Sequence, residues 1–188
     1  MKYTIRAYPR FSACGLNCGL CPRYYTKGQS RCPGCAGAGF SEVHPPCGVL
    51  SCCQRKGIEY CFLCGEFPCE KYDGADAADS FITHQNQFRD LDKAKQIGIE
   101  AYSAELDEKI SILERLLEDY DDGRRKSFFC TAVNLLELPE LRLIMEKLAA
   151  QATPDASRKA MSAAAVRLLE QIAAQKNVSL KLRKNANS

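Results

Sequence analysis

The sequence lacks the features that would assign it to several common classes of protein. No run of about 20 apolar residues occurs, which argues against a membrane-spanning helix, and residues 1–10 lack the apolar segment of a signal peptide. We therefore expect a cytoplasmic protein without a membrane partner. The chain also has no tryptophan, no helical HExxH motif, no phosphate-binding glycine loop and no nucleophile–base grouping. No active site is thus visible beyond a potential metal site, and a non-enzymatic role is favoured.

Cysteine, in contrast, is abundant and concentrated in one segment. Eleven of the 12 cysteines lie between Cys14 and Cys69. In a reducing compartment such a cluster indicates metal binding before disulfides. Glycine and proline interrupt the segment so often that it cannot build a core from apolar side chains alone, and bound metal can supply the missing stability.

The cysteine spacing includes three Cys-x-x-Cys motifs, in which both thiolates can bind one ion. Pairing Cys18/Cys21 with Cys32/Cys35 resembles a zinc ribbon. A second site would draw on Cys47, Cys53, Cys61, Cys64 and Cys69, which leaves Cys14 and one member of that set surplus. A cross-braced arrangement of the pairs is also compatible with the spacing. Two zinc ions are expected. The candidate metal ligands are Cys14, Cys18, Cys21, Cys32, Cys35, Cys47, Cys53, Cys61, Cys64 and Cys69.

Iron is the alternative metal. Cys14-x3-Cys18-x2-Cys21 has the spacing that radical-SAM enzymes use for a [4Fe-4S] cluster, and Cys21-Pro22 is similar to the end of ferredoxin cysteine runs. An iron–sulfur redox protein or enzyme component therefore stands as the second hypothesis. The rest of the chain favours zinc, because the residues that follow are first cysteine-rich and then helical and lack the alternating strands and helices of a radical-SAM barrel.

Nucleic-acid binding is a third hypothesis. The formal net charge is +3, but two four-thiolate zinc sites would change it to −1, so a globally basic protein is not indicated. The first 60 residues nevertheless carry eight Lys or Arg and only two acids, and aromatic side chains lie among Arg23, Lys27 and Arg31. Cations beside aromatic rings are typical of surfaces that bind single-stranded nucleic acids.

Composition changes near residue 70 and divides the chain into two predicted regions. Residues 1–72 form an irregular cysteine-rich metal-binding head, and residues 73–188 form a helical body packed against it. The expected fold is mostly α, with few short strands.

Apolar periodicity predicts the helices of the body. Residues 104–120 carry an apolar stripe of Leu106, Ile110, Leu113 and Leu117. A second helix is predicted from Pro139 to about Ala150, with Leu141, Ile144, Met145 and Leu148 buried, and a third after Thr153 as N-cap, with Pro154 in its first turn. Its predicted buried face consists of Met161, Val166, Leu169, Ile172 and Ala173.

Three weaker features complete the predicted body. A helix or helix pair around residues 88–99 is interrupted near Gly98, and residues 178–184 alternate as in a short strand. The lone Cys130 is expected to be a buried small apolar residue.

The cysteine motifs resemble a known family. The runs Cys14–Pro22, Cys32–Cys35 and Cys61–Glu70 are similar to the bacterial and archaeal family called domain of unknown function 3795, and residues 120–136 and 180–184 are similar to the helical part of its longer members. The resemblance implies a zinc-binding, cysteine-rich protein without an assigned reaction. Cys52 departs from the pattern, because it leaves open whether Cys52 or Cys53 is the ligand.

The expected function is therefore a zinc-binding protein with structural four-cysteine sites that serves as an interaction or regulatory module. The identity of a protein partner does not follow from the sequence.

Overall fold

The structure, a computed structural model, describes residues 3–75, 77–151, 153 and 155–184. Over these residues it consists of helices and loops without a β-strand, which confirms the mostly helical architecture with an irregular cysteine-rich beginning. Its α-helices are α1 (Phe40–Val43), α2 (Gly48–Arg55), α3 (Gln87–Ile97), α4 (Ile99–Arg115), α5 (Lys126–Leu135), α6 (Leu138–Gln151) and α7 (Arg158–Gln175). No helix among the described residues is long and apolar enough to cross a membrane.

The chain divides into two compact units. The first contains the residues up to Leu106 and those from Leu182 onward, and the second is Asp107–Lys181. The first unit thus holds α3 and the beginning of α4 as well as the cysteine-rich segment. The second contains a core of its own, in which the largest fully buried side chains are Leu113, Leu116, Phe129, Val133, Leu141, Ile144 and Leu169.

Helix α4 follows the predicted stripe until its last turn. Leu106, Ile110 and Leu113 are buried, as predicted. The helix then continues as a π-helical turn, Leu116–Tyr120, whose wider repeat changes the direction of the following side chains. As a result Leu116 is buried in place of the predicted Leu117, which is only half-buried.

Helix α6 confirms its prediction, since Leu141, Ile144, Met145 and Leu148 are all buried. Helix α7 begins later than predicted. Thr153 does not cap it; the N-cap is Ser157, whose Oγ accepts a hydrogen bond from the N–H of Ala160 at 3.3 Å. Pro154, the predicted first-turn residue, lies outside the described residues.

The buried face of α7 is also narrower than predicted. Leu169, Ile172 and Ala173 are buried, whereas Met161 and Val166 are half-buried. Small residues complete this face, because Ser162 and Ala165 are buried in their place.

The predicted strand over residues 178–184 is wrong. Its residues are irregular, and within the first unit Arg183 binds Asp79, whose side chain is fully buried. The Asp79 carboxylate accepts hydrogen bonds from the Arg183 N–H at 2.7 Å, the Arg183 Nη2 at 2.9 Å and the His84 N–H at 2.7 Å. These hydrogen bonds to a buried carboxylate hold Arg183, where a strand would have backbone hydrogen bonds to a neighbouring strand. The alternation of apolar and polar side chains in the sequence does not predict such contacts.

Candidate metal centre

Two of the Cys-x-x-Cys motifs form the same turn. Cys18–Leu20 and Cys61–Leu63 are single-turn 3-10 helices, each closed by the N–H of the following cysteine. The Cys21 N–H donates to the Cys18 carbonyl at 3.1 Å, and the Cys64 N–H donates to the Cys61 carbonyl at 2.9 Å. In a 3-10 turn the side chains at positions i and i+3 lie on one face. Both motifs therefore form the same hydrogen-bonded turn, with one cysteine at its first residue and the other as its C-cap.

The third motif, Cys32-Pro33-Gly34-Cys35, is fixed by a hydrogen bond to a residue outside the motif. The Cys35 N–H donates to the Pro9 carbonyl at 2.7 Å. Gly34 has a φ of +88°, and a Cβ atom there would lie 2.4 Å from the same carbonyl oxygen. Only glycine allows this close approach, so the turn is fixed against the segment before Phe11.

Six cysteines form a first group, which consists of Cys14, Cys18, Cys21, Cys32, Cys35 and Cys47. Burial raises the pKa of Cys18 well above its ordinary value, and the thiolates of Cys35, Cys14, Cys21 and Cys32 raise it further. Burial likewise raises the pKa of Cys14 to about 12, with a further contribution from the thiolates of Cys35 and Cys47. Repulsion between neighbouring thiolates therefore disfavours their ionisation, and a bound cation would offset this repulsion.

Five cysteines form a second group around one cavity of about 340 Å³. The second group consists of Cys52, Cys53, Cys61, Cys64 and Cys69. The apolar part of the cavity wall comes from Val49, Ile58, Phe67 and Tyr72. Cys52 is among the residues that line this cavity. The predicted ligand Cys47 is not among them, and its charge instead raises the pKa of Cys14 and Cys35 in the first group.

The second group contains the closest sulfur pair. Cys53 and Cys61, both buried, have their Sγ atoms 3.4 Å apart. The hydrogen bond between the two sulfurs lowers the pKa of Cys61 to about 7 against the effect of burial, and the same bond raises the pKa of Cys53. Two thiolates bound at about 2.3 Å to one tetrahedral zinc ion lie about 3.8 Å apart. The observed distance is therefore close to that of two ligands of one ion.

The complete ligand sets are not assembled around a common point. Among the described residues, no three His, Cys, Asp or Glu side chains are gathered closely enough to hold a metal ion. One further thiol of the second group has another partner, because the Lys56 Nζ lies 3.2 Å from the Cys64 Sγ and 2.8 Å from the Glu66 Oε2. The thiol chemistry and the paired turns fit a thiophilic metal.

Helix α3 supports the loop that carries Cys14 and Cys18. The Gln87 Nε2 donates to the Cys14 carbonyl at 2.8 Å. Asn17, next to Cys18, donates through Nδ2 to the buried Asp90 carboxylate at 2.7 Å and accepts a hydrogen bond from the Tyr102 hydroxyl at 2.9 Å. Sequence reasoning missed these supporting residues, because polar partners more than 70 positions apart leave no local pattern.

Gly15 provides a test of this support. Its φ is +92°, and an added Cβ would lie 2.5 Å from the Leu91 Cγ and 2.6 Å from the Gln87 carbonyl oxygen. We expect Gly15→Ala to lower the free energy of unfolding of the purified chain by about 2–4 kcal/mol, because backbone strain and overpacking add. Denaturant unfolding followed by fluorescence measures the change.

Gly28→Ala is the matched control for Gly15→Ala. Gly28 has a similar φ of +79°, but no described atom lies within 4 Å of the added Cβ. We therefore expect a loss of only about 1 kcal/mol from backbone strain. Equal losses in the two variants would mean that α3 does not support the Cys14 loop by close packing.

Two of the basic residues named for nucleic-acid binding, Arg23 and Arg31, contact aromatic rings within the molecule. The Arg31 guanidinium lies over the Tyr24 ring at 5.1 Å and its Nε donates to the Tyr24 carbonyl at 3.0 Å. The Arg23 guanidinium lies 5.1 Å from the ring centroid of Phe81, which is exposed. These contacts explain why the residues cluster without a nucleic acid, so nucleic-acid binding stays a sequence-based hypothesis.

Comparison with known proteins bears on the whole cysteine-rich segment. Residues 10–74 match the model of a family described as "Protein of unknown function (DUF3795)". The cysteine-rich segment resembles DUF3795 proteins, as the sequence motifs predicted. No curated protein and no solved structure gives a significant match. The DUF3795 segment, residues 10–74, contains all the candidate ligands, and the similarity of residues 120–136 and 180–184 to longer family members stays a prediction.

Proposed function

We propose that the DUF3795 segment binds zinc through cysteine thiolates, with about two ions per chain, and that the metal stabilises the fold of a cytoplasmic interaction or regulatory module. The observation that carries this proposal is the Cys53–Cys61 sulfur pair at 3.4 Å, which lies at the start of a Cys-x-x-Cys turn. The second copy of that turn at Cys18–Cys21 supports it. Four-thiolate zinc sites have no open position for a substrate, so the metal contributes folding energy.

The close sulfur pair also favours zinc over a [4Fe-4S] cluster in the second group. Each of the four cysteines of a [4Fe-4S] cluster binds a different iron, which keeps the ligand sulfurs well separated. Cys53 and Cys61 are much closer to each other than such a cluster allows. In a zinc site the same two thiolates share one ion.

The decisive experiment is the metal content of untagged protein purified without oxygen, combined with its absorption spectrum. We expect about two zinc ions per chain and no visible absorption band. Iron with inorganic sulfide and a broad visible band would overturn the proposal and direct attention to Cys14, Cys18 and Cys21. Cys130→Ala is the control, because Cys130 is buried in the second unit, far along the chain from the DUF3795 segment, and its removal should leave the metal content unchanged.

A further inference from the structure

Ser80 and His84 lie next to each other in a loop of the first unit that follows the DUF3795 segment. The Ser80 Oγ lies 3.2 Å from the His84 Nε2, and the His84 Nδ1 lies 3.1 Å from the Ala75 carbonyl oxygen. A carbonyl oxygen can only accept a hydrogen bond, so Nδ1 carries the proton of the neutral ring. Nε2 therefore has the free electron pair, and the Ser80 hydroxyl donates its hydrogen bond to it.

The loop is fixed by the buried Asp79 carboxylate. Asp79 accepts hydrogen bonds from the His84 N–H and from the Arg183 N–H, both at 2.7 Å. The Asp79 N–H in turn donates to the Arg183 carbonyl at 3.0 Å. Ile82 and Thr83, which lie between the serine and the histidine in the chain, are buried and anchor the loop. The backbone on both sides of the serine–histidine pair is therefore held in place.

A substrate can reach this pair from solvent. Ser80 is exposed and His84 is half-buried. Phe81, the residue after the serine, is 63% exposed, and the Arg23 guanidinium lies 5.1 Å from the centroid of its ring. An exposed aromatic ring is a surface on which an apolar or aromatic group of a small molecule can pack. The pair thus lies beside an apolar contact surface.

We propose that Ser80 is a nucleophile with His84 as its general base, and that the pair hydrolyses small activated esters that carry an apolar or aromatic group. The Ser80 Oγ forms a bond to the ester carbonyl carbon, its proton passes to the His84 Nε2, and the alcohol leaves with that proton. Water then cleaves the Ser80 ester in the same way. The net reaction converts an ester and water into a carboxylic acid and an alcohol.

The acceptor at Nδ1 determines which esters can react. In serine proteases an aspartate fixes the histidine tautomer and also stabilises the protonated ring by its negative charge. The Ala75 carbonyl fixes the tautomer but carries no full charge. The protonated ring is therefore less stabilised, so we expect a slow reaction that requires a good leaving group.

The test is labelling of the full chain with diisopropyl fluorophosphate, with the label located by peptide mass spectrometry. The Ser80 Oγ forms a bond to phosphorus, fluoride leaves, and the hydroxyl proton passes to His84. Ser111 is the internal control, because it is also exposed but its Oγ donates at 3.0 Å to the Asp107 carbonyl, which cannot remove a proton. We expect a label on Ser80 and none on Ser111. No label on Ser80, or equal labelling of both serines, would overturn the inference.

Two histidine variants test the general base. His84→Asn keeps a side-chain N–H close to the position of Nδ1 but has no nitrogen in place of Nε2, so the rate of Ser80 labelling should fall by about 100-fold. His44→Ala removes the other histidine of the chain, which is stacked on Phe40, and should leave the rate unchanged. Circular dichroism verifies that both variants are folded. An unchanged rate in folded His84→Asn would show that His84 is not the base.

Hydrolysis of p-nitrophenyl acetate tests the complete reaction. We expect an acetyl group on Ser80 that forms and is then lost, and we expect Ser80→Ala to lose the release of p-nitrophenol that depends on His84. If Ser80→Ala releases p-nitrophenol as fast as the unmodified chain, the inference is wrong. The metal content of the chain is a separate measurement, so failure of this inference leaves the proposed zinc binding untouched.

Discussion

Removal of metal should unfold residues 14–70 while most of the helical circular dichroism persists. One buried cluster in and beside this segment has few large apolar side chains and includes four of the cysteines themselves; its members are Ala13, Cys32, Cys35, Ala36, Phe40, Leu50, Cys53, Cys61 and Tyr72. Structural zinc contributes about 10–16 kcal/mol in small zinc-binding peptides, which is as large as the whole stability of a typical domain. Without metal the segment therefore has too little apolar burial to stay folded.

The second unit should respond differently to the same treatment. Its helices α5, α6 and α7 pack through Phe129, Ile144 and Leu169, none of which depends on a cysteine site. Helix α3 lies in the first unit and supports the Cys14 loop, so part of its signal should disappear with the metal.

The measurement combines circular dichroism at 222 nm with amide hydrogen exchange before and after treatment with EDTA. Exchange should become fast in residues 14–70 and stay slow in α5, α6 and α7. Adding zinc back should restore slow exchange, which distinguishes metal removal from aggregation. Loss of all helical signal in one transition would contradict the two-part organisation.

Much of the second unit could be predicted because its helices obey a local rule. The stripes of α4 and α6 repeat at helical spacing, and Gly98 separates α3 from α4 as expected. Helix α5 was not predicted, because its residues Phe129–Leu135 are all buried and therefore show no alternation of apolar and polar faces. The burial of Cys130 within it is confirmed.

For the candidate site, too, local sequence patterns predict only part of the structure. Cys-x-x-Cys spacing predicts which cysteines lie close together but not the turn geometry, because two of the motifs form 3-10 turns whereas Cys32–Cys35 is held by the Pro9 carbonyl. Contacts between distant segments could not be predicted, since no local pattern connects Arg6 with Glu59, or Asn17 with Asp90. The surroundings of the cysteines thus had to come from the fold.

Cys53→Ser should remove one zinc ion per chain, whereas Cys52→Ser should remove none. Both cysteines are on α2 and both line the cavity. Only Cys53 is fully buried and close to the Cys61 sulfur, whereas Cys52 is half-buried. Because the two substitutions are identical and adjacent on one helix, their intrinsic effects on that helix are matched. Native mass spectrometry counts the zinc ions directly.

Alkylation then shows which group has lost its ion. Thiolates bound to zinc react slowly with N-ethylmaleimide, and free thiols that can ionise react faster. In Cys53→Ser we expect Cys61, Cys64 and Cys69 to become reactive while the first group stays protected. Loss of protection in both groups would show that the sites do not fill independently, and loss of zinc in Cys52→Ser alone would assign the ligand role to Cys52.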